Sequence, residues 1–141
     1  MADRVLLDTG PLVAVLAPND QYHEAAVAGL ARLPRNQPLI TCWPVITEAA
    51  WLLRNVPGGL EKLLQAVDGW RVDVAPMGIE SCSRLAEIAT SYSSLLPQLA
   101  DVALLYLAER DKIDVIFTFD RRHFSVYRMS NSKSLELFPK P

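Results

Sequence analysis

Short continuous apolar runs alternate with longer amphipathic ones along the 141-residue chain. Residues 4–7 (RVLL) form a compact apolar run of strand type, closed by Asp8. Gly10-Pro11 then opens an apolar helix, since proline suits a first helical turn, with Thr9 a candidate cap. Residues 21–33 (QYHEAAVAGLARL) carry apolar positions at helical spacing and end at Pro34. PLITC (38–42) is a second strand, followed by a helix over 43–55 that stops near Pro57-Gly58-Gly59. GLEKLLQAVDGW (59–70) is helical, and WRVDVAP (70–76) alternates like a strand. A helix over 78–92 precedes a strongly apolar one over 93–112; DVIFTFD (114–120) and SLELF (134–138) are the last strands. Strands that alternate with helices favour an α/β fold with a parallel sheet covered on both faces, here as one domain over residues 1–141.

Composition narrows the function only a little. Half of the residues are hydrophobic, which argues against disorder. A formal net charge of −2 lacks the basic imprint common in nucleic-acid binders. Cys42 and Cys82 fit no metal or redox spacing, so buried free thiols are expected. Neither a signal-peptide pattern nor an apolar run of membrane-spanning length is visible, and a cytoplasmic location is expected.

The carboxylates change the picture. Two strands end in aspartate, RVLLD at Asp8 and DVIFTFD at Asp120. Ligands of open α/β sheets bind beyond the carboxyl ends of the strands, where the winding reverses. Either aspartate alone is accounted for as a helix cap. Glu48 and Asp101, however, lie inside mostly apolar helices, each four residues after a proline (Pro44 and Pro97). With those prolines in the first turn, each acid falls about one turn into its helix, near the positive dipole end. Burying an unpaired carboxylate costs several kcal/mol or forces protonation. Asp8, Glu48, Asp101 and Asp120 are therefore expected to converge on one pocket. No lysine or arginine lies inside the four apolar motifs to offset them, so a hard divalent cation, Mg2+ or Mn2+, is the simplest partner. Such a site suits phosphodiester chemistry.

LLDTGPLVAVLAPNDQYH, ITEAAWLL, LADVALLYLAER and IFTFDRRHFSVYR, in this order and spacing, cover nearly the whole chain. Together they resemble the PIN-domain family of metal-dependent ribonucleases, especially the VapC-type toxins of toxin–antitoxin pairs. The resemblance implies a three-layer α/β/α sandwich on a parallel sheet of four to five strands. It implies that Asp8, Glu48, Asp101 and Asp120 are the catalytic and metal-site acids, and that the hydroxyls of Thr9 and Thr118 accompany the first and last. It also implies an RNA substrate, a cognate antitoxin and a homodimer. One departure stands out: many relatives carry an aspartate three residues before the third acid, where this chain has Gln98. Gln98 can bond a metal-bound water but brings no charge.

Arg121, Arg122 and His123 follow Asp120 directly, with Arg128 shortly after. They read either as a cationic lip for the RNA backbone or as a solvated turn paired with Asp120. His123 is not needed as a general base if a metal activates water. His23 reads as a surface helical residue. Trp51 and Trp70 sit in apolar patterns expected in the core, whereas Trp43 beside Pro44 stays open as a base-stacking surface. The helices of residues 21–33 and 58–70 can offer an apolar groove to a partner helix. Two rivals remain. One is a catalytically degenerate domain that binds protein or RNA, for which Gln98 is the only hint. The other is a receiver-like phosphoryl-transfer domain, which the Asp8-Thr9-Gly10 strand end and the lack of a G-x-x-x-x-G-K-[ST] loop disfavour.

Overall fold

The structure is a computed structural model that describes residues 4–70 and 72–140. Its centre is a five-stranded, wholly parallel sheet in the order β3-β2-β1-β4-β5. The strands are β1 (Val5–Leu7), β2 (Leu39–Thr41), β3 (Val72–Val74), β4 (Val115–Phe117) and β5 (Glu136–Phe138). β1 and β2 are buried along their whole length, as expected for apolar runs covered on both faces. Leu6 pairs with Ile40 on one side and Ile116 on the other, so β1 is central. Strand order steps outward in one direction from β1 to β3 and in the other from β4 to β5. The reversal falls between β1 and β4, whose carboxyl ends carry Asp8 and Thr118.

The helices are α1 (Thr9–Leu16), α2 (His23–Arg32), α3 (Trp43–Leu52), α4 (Gly59–Gly69), α5 (Cys82–Ser91), α6 (Leu99–Asp111) and α7 (Arg121–Phe124). α1 packs on α2 and α3, while α6 packs on α3 and α5. Ala100, Val102, Ala103, Leu104, Leu105, Leu107 and Ala108 of α6 are all buried, so apolar residues surround most of its circumference and the helix is interior. Each fully buried leucine there contributes roughly 1.5–3 kcal/mol. Gly29 lets α2 lie close to the sheet, because a Cβ at that position would meet the Phe117 ring at 2.8 Å.

Several boundaries differ from those expected. Asp8, not Thr9, caps α1, because its carboxylate accepts the Thr9 N–H. The strand expected over 114–120 leaves the sheet after Phe117, and the four-residue α7 follows it. The helix expected over 93–112 is broken into a 3-10 turn at Ser93–Leu95 and α6. Pro97 explains the break: it disfavours helix at the residue before it, and Leu96 takes a left-handed conformation with φ 51°. Pro97 thus stands outside α6, with Gln98 as the N-cap and Asp101 as the third helical residue. Pro44 does occupy the first turn of α3. Cys42 is buried but Cys82 is exposed at the start of α5, against expectation, since that face of the helix meets solvent. Trp51 is likewise no core residue. It is 64% exposed, with the Arg54 guanidinium 3.9 Å from its ring centre. Trp43 is exposed and Trp70 half-buried against the core. Among the described residues no helix is long and apolar enough to cross a membrane.

Candidate active site

Beyond the carboxyl ends of β1 and β4 lies an open cleft of about 400 Å³. Asp8 forms its floor. The residue is 6% exposed because β1 carries it directly into the junction with α1. One carboxylate oxygen accepts the Thr9 N–H at 2.8 Å and the other accepts the Thr118 hydroxyl at 2.7 Å. Thr118 is fully buried, and its oxygen in turn accepts the Asp120 N–H at 2.9 Å. A hydrogen-bond chain therefore ties the ends of two neighbouring strands together. Burial pushes the Asp8 carboxyl up to about 7; the bonds from Thr118 and Thr9 oppose the rise, and the charges of Asp101 and Asp120 add to it.

Asp101 enters from the first turn of α6, where its carboxylate accepts the Gln98 N–H at 3.2 Å. Burial raises its pKa first, the Gln98 bond lowers it, and the charges of Asp120 and Glu48 raise it further, against a lowering by His123. Glu48 lines the cleft from α3. Asp120 caps α7: one oxygen accepts the His123 N–H at 3.1 Å and the other stands 2.8 Å from His123 Nδ1. Its side-chain partner is thus the histidine, not the arginines. Arg121 donates to the Pro139 carbonyl, Arg128 donates to the carbonyls of Ser125, Val126 and Tyr127, and Arg122 is exposed. Neither Arg121 nor Arg122 lines the cleft, although both stand on α7 directly after Asp120.

A family model, the PIN domain, matches residues 5–129. The chain belongs to the PIN domain family. It is 29% identical over 126 residues to Ribonuclease VapC26 of Mycobacterium tuberculosis (strain ATCC 25618 / H37Rv), covering 88% of this chain and 92% of that protein. The crystal structure of M. tuberculosis VapC20, a Sarcin-Ricin loop cleaving toxin, superposes with a TM-score of 0.74 at 17% identity, over 83% of this chain and 90% of that one. VapBC2 from Rickettsia felis, solved bound to a DNA fragment from its promoter, gives 0.66 at 13% identity, over 95% and 96%. At those identities the two structures speak for the fold, a parallel sheet between helical layers.

The PIN cleft gathers Asp8, Thr9, Glu48, Asp101 and Asp120, with Thr118 bonded beneath Asp8. It also holds residues that the sequence did not single out. Asp20 is a fifth carboxylate at the cleft, in the turn after α1, where it accepts the Tyr22 N–H at 2.8 Å. Its only signal was a place inside the PNDQYH segment. His23, expected on the surface, is half-buried and stands 2.7 Å from the Ala14 carbonyl, tying α2 to α1. Tyr22, Leu52, Leu96 and Phe119 line the apolar part of the cleft.

The donor set fits a hard divalent cation. All the anionic groups are oxygen donors, no lysine or arginine among the described residues lines the cleft, and neighbouring carboxylates raise the affinity of Asp8 and of Asp101 for protons. Among the described residues the Thr9 hydroxyl, buried beside Asp8, has no hydrogen-bond partner and is a further hard oxygen donor. Among the described residues no three of these acids stand close enough together to form a ready-made metal cluster.

Proposed function

We propose that this chain, as one PIN domain over its whole length, is a Mg2+- or Mn2+-dependent endoribonuclease and the toxin of a type II toxin–antitoxin pair. The observation that carries the reading is the meeting of Asp8, Glu48, Asp101 and Asp120 at one cleft that, among the described residues, no lysine or arginine lines. Asp8, Asp101 and Asp120 would hold the ion, and Glu48 would complete the set or orient the attacking water. When bound, the ion supplies charge neutralisation on the phosphate and a more acidic water. The other roles belong to the chain. The Thr118 bond fixes the rotamer of Asp8 and, through the Asp120 N–H, the relative placement of two acids. Arg121 and Arg122 are assigned to the RNA backbone just outside the cleft, where phosphate contacts position the substrate. VapC26 is named a ribonuclease, which agrees with this reaction class.

The antitoxin is assigned to a groove of about 590 Å³ beside α2 and the end of α4, lined by Val27, Leu30, Ala31, Gly69 and Trp70. Its apolar lining suits one face of an amphipathic helix. A homodimer and a cytoplasmic location are part of the same proposal.

The test is cleavage of total RNA by the purified protein in Mg2+ and in EDTA, alongside Mn2+ calorimetry, with Asp101→Asn in parallel. Mg2+-dependent cleavage and Mn2+ binding, both lost in the variant, are expected. Cleavage that persists in EDTA or in Asp101→Asn would overturn the assignment.

A further inference from the structure

We infer that the cleft contains a nucleobase subsite, built from the stacked rings of Tyr22 and Phe119 together with Leu96, that takes an unpaired base beside the phosphate being cut; this rests on the ribonuclease reading above. The cleft is two-sided in chemistry. Carboxylates make one part of it, while Tyr22, Phe119 and Leu96 make another. The Tyr22 and Phe119 rings lie 4.9 Å apart at 15°, a parallel stack. Phe119 is braced edge-on by the buried Phe117 ring at 5.9 Å. Tyr22 nonetheless remains 45% exposed.

Both rings are held in register with the acids. The Tyr22 N–H is bound by Asp20, and its carbonyl accepts the Ala26 N–H at 2.8 Å as α2 begins. Phe119 sits between Thr118 and Asp120, the two residues that join the Asp8 hydrogen-bond chain. A phosphate held among the acids therefore has an aromatic surface within the reach of its own nucleotide or the next.

Leu96 supplies an independent observation. It is 84% exposed and takes φ 51°, a left-handed conformation that costs a non-glycine residue roughly 1–2 kcal/mol. That conformation closes the 3-10 turn at Ser93–Leu95, the Leu96 N–H donating to the Ser93 carbonyl at 3.1 Å, and it leaves the side chain bare at the cleft, where a bound base gives it apolar contact.

The charge balance also calls for such contacts. Carboxylates at the cleft repel an RNA backbone until an ion binds them, and contacts that do not depend on attraction to phosphate add affinity there. Stacking on aromatic side chains has that property and tolerates any base.

The experiment titrates a short oligouridylate carrying one 2-aminopurine with the intact protein in Ca2+, a gel confirming that the RNA stays whole. Base stacking quenches the probe. Wild type and Tyr22→Phe are expected to quench it. Tyr22→Leu, which keeps apolar cover on Phe119, loses the quench and binds roughly tenfold more weakly, within the range for losing one stacked base. Leu96→Gly, which relieves the positive φ and cannot harm folding through it, binds several-fold more weakly. In Mg2+ the same variants raise KM and leave kcat near wild type. RNA binding without a quench, or Tyr22→Leu and Leu96→Gly indistinguishable from wild type, would sink the subsite and leave the nuclease reading standing. Failure of wild type to bind any RNA in Ca2+ or to cut it in Mg2+ would overturn both.

Discussion

Replacing Asp8 by asparagine should stabilise the metal-free protein near pH 8 and not near pH 5. Burial raises the Asp8 carboxyl from 3.8 to about 7, so the folded chain holds a proton there that the unfolded chain releases. The stability this contributes is fully present below the unfolded value of 3.8 and is lost as pH rises through about 7. Linkage gives a loss of roughly 3 kcal/mol between pH 5 and pH 8 in wild type. At about 3 °C per kcal/mol for a chain of this length, that is roughly a 10 °C fall in Tm. Asparagine removes the titration but keeps an oxygen for the Thr9 N–H. Its amide would donate to Thr118, whose hydroxyl proton must then find another acceptor, at about 1 kcal/mol. That cost does not vary with pH, so the informative quantity is the difference in Tm between the two pH values. Thermal unfolding in EDTA at both pH values, for wild type and Asp8→Asn, measures it. Other groups that titrate over the range, Asp101 included, are common to both proteins. Equal pH differences in the two would refute the claim that a buried, protonated Asp8 sits at the seam. Adding Mg2+ near pH 8 should raise the wild-type Tm and leave that of the variant unchanged.

Thr118→Val removes the donor to Asp8 and the acceptor for the Asp120 N–H, both buried. It should cost about 1–3 kcal/mol in urea unfolding and, by raising the Asp8 pKa further, weaken Mg2+ binding most at neutral pH. Gly29→Ala should destabilise by about 1–3 kcal/mol, since the new Cβ meets the Phe117 ring at 2.8 Å and that ring is 1% exposed. An unchanged urea midpoint would mean that α2 shifts freely. Burial pushes the Cys42 thiol up to about 11, whereas Cys82 is exposed. A thiol reagent near pH 8 should therefore modify Cys82 rapidly and Cys42 only after unfolding, read by mass spectrometry of the peptides.

What could be read from the chain was whatever its hydrophobic pattern forced. VLL, LIT and VIF are apolar runs too short for buried helices, and each became a covered parallel strand. Glu48 and Asp101 were legible because a carboxylate inside an apolar helix has no local explanation, and they gave a joint meaning to Asp8 and Asp120, which a helix cap alone would explain. Asp20 and Tyr22 were not, because they lie in a polar segment where exposure explains them equally well. Only the return of α2 over α1 brings them to the cleft. Trp51 shows the opposite failure. Its apolar neighbours predicted a core position, yet tertiary packing leaves that face of α3 uncovered. The break at Leu96 was hidden for a third reason. Proline announces that a helix is interrupted, but not that the residue before it will turn left-handed.

The charge at the seam follows from the same topology that makes the sheet. Reversal of the strand order between β1 and β4 leaves a crevice that neither neighbouring helix fills, and both strand ends open into it. A fold selected for stability alone would place a neutral cap such as serine at position 8, since serine serves that role without a burial penalty. Aspartate there instead draws on Thr118, Thr9 and the backbone of Asp120 to hold a carboxyl that still binds its proton near neutrality. Those bonds fix the geometry without neutralising the charge, and Asp101 and Asp120 add to the strain instead of relieving it. On the function proposed above, a cation would relieve that repulsion, and the stability of the site would rise on binding it. Stability and function are then coupled through one residue, which is why the pH dependence of unfolding and its loss on adding Mg2+ report on the same carboxylate.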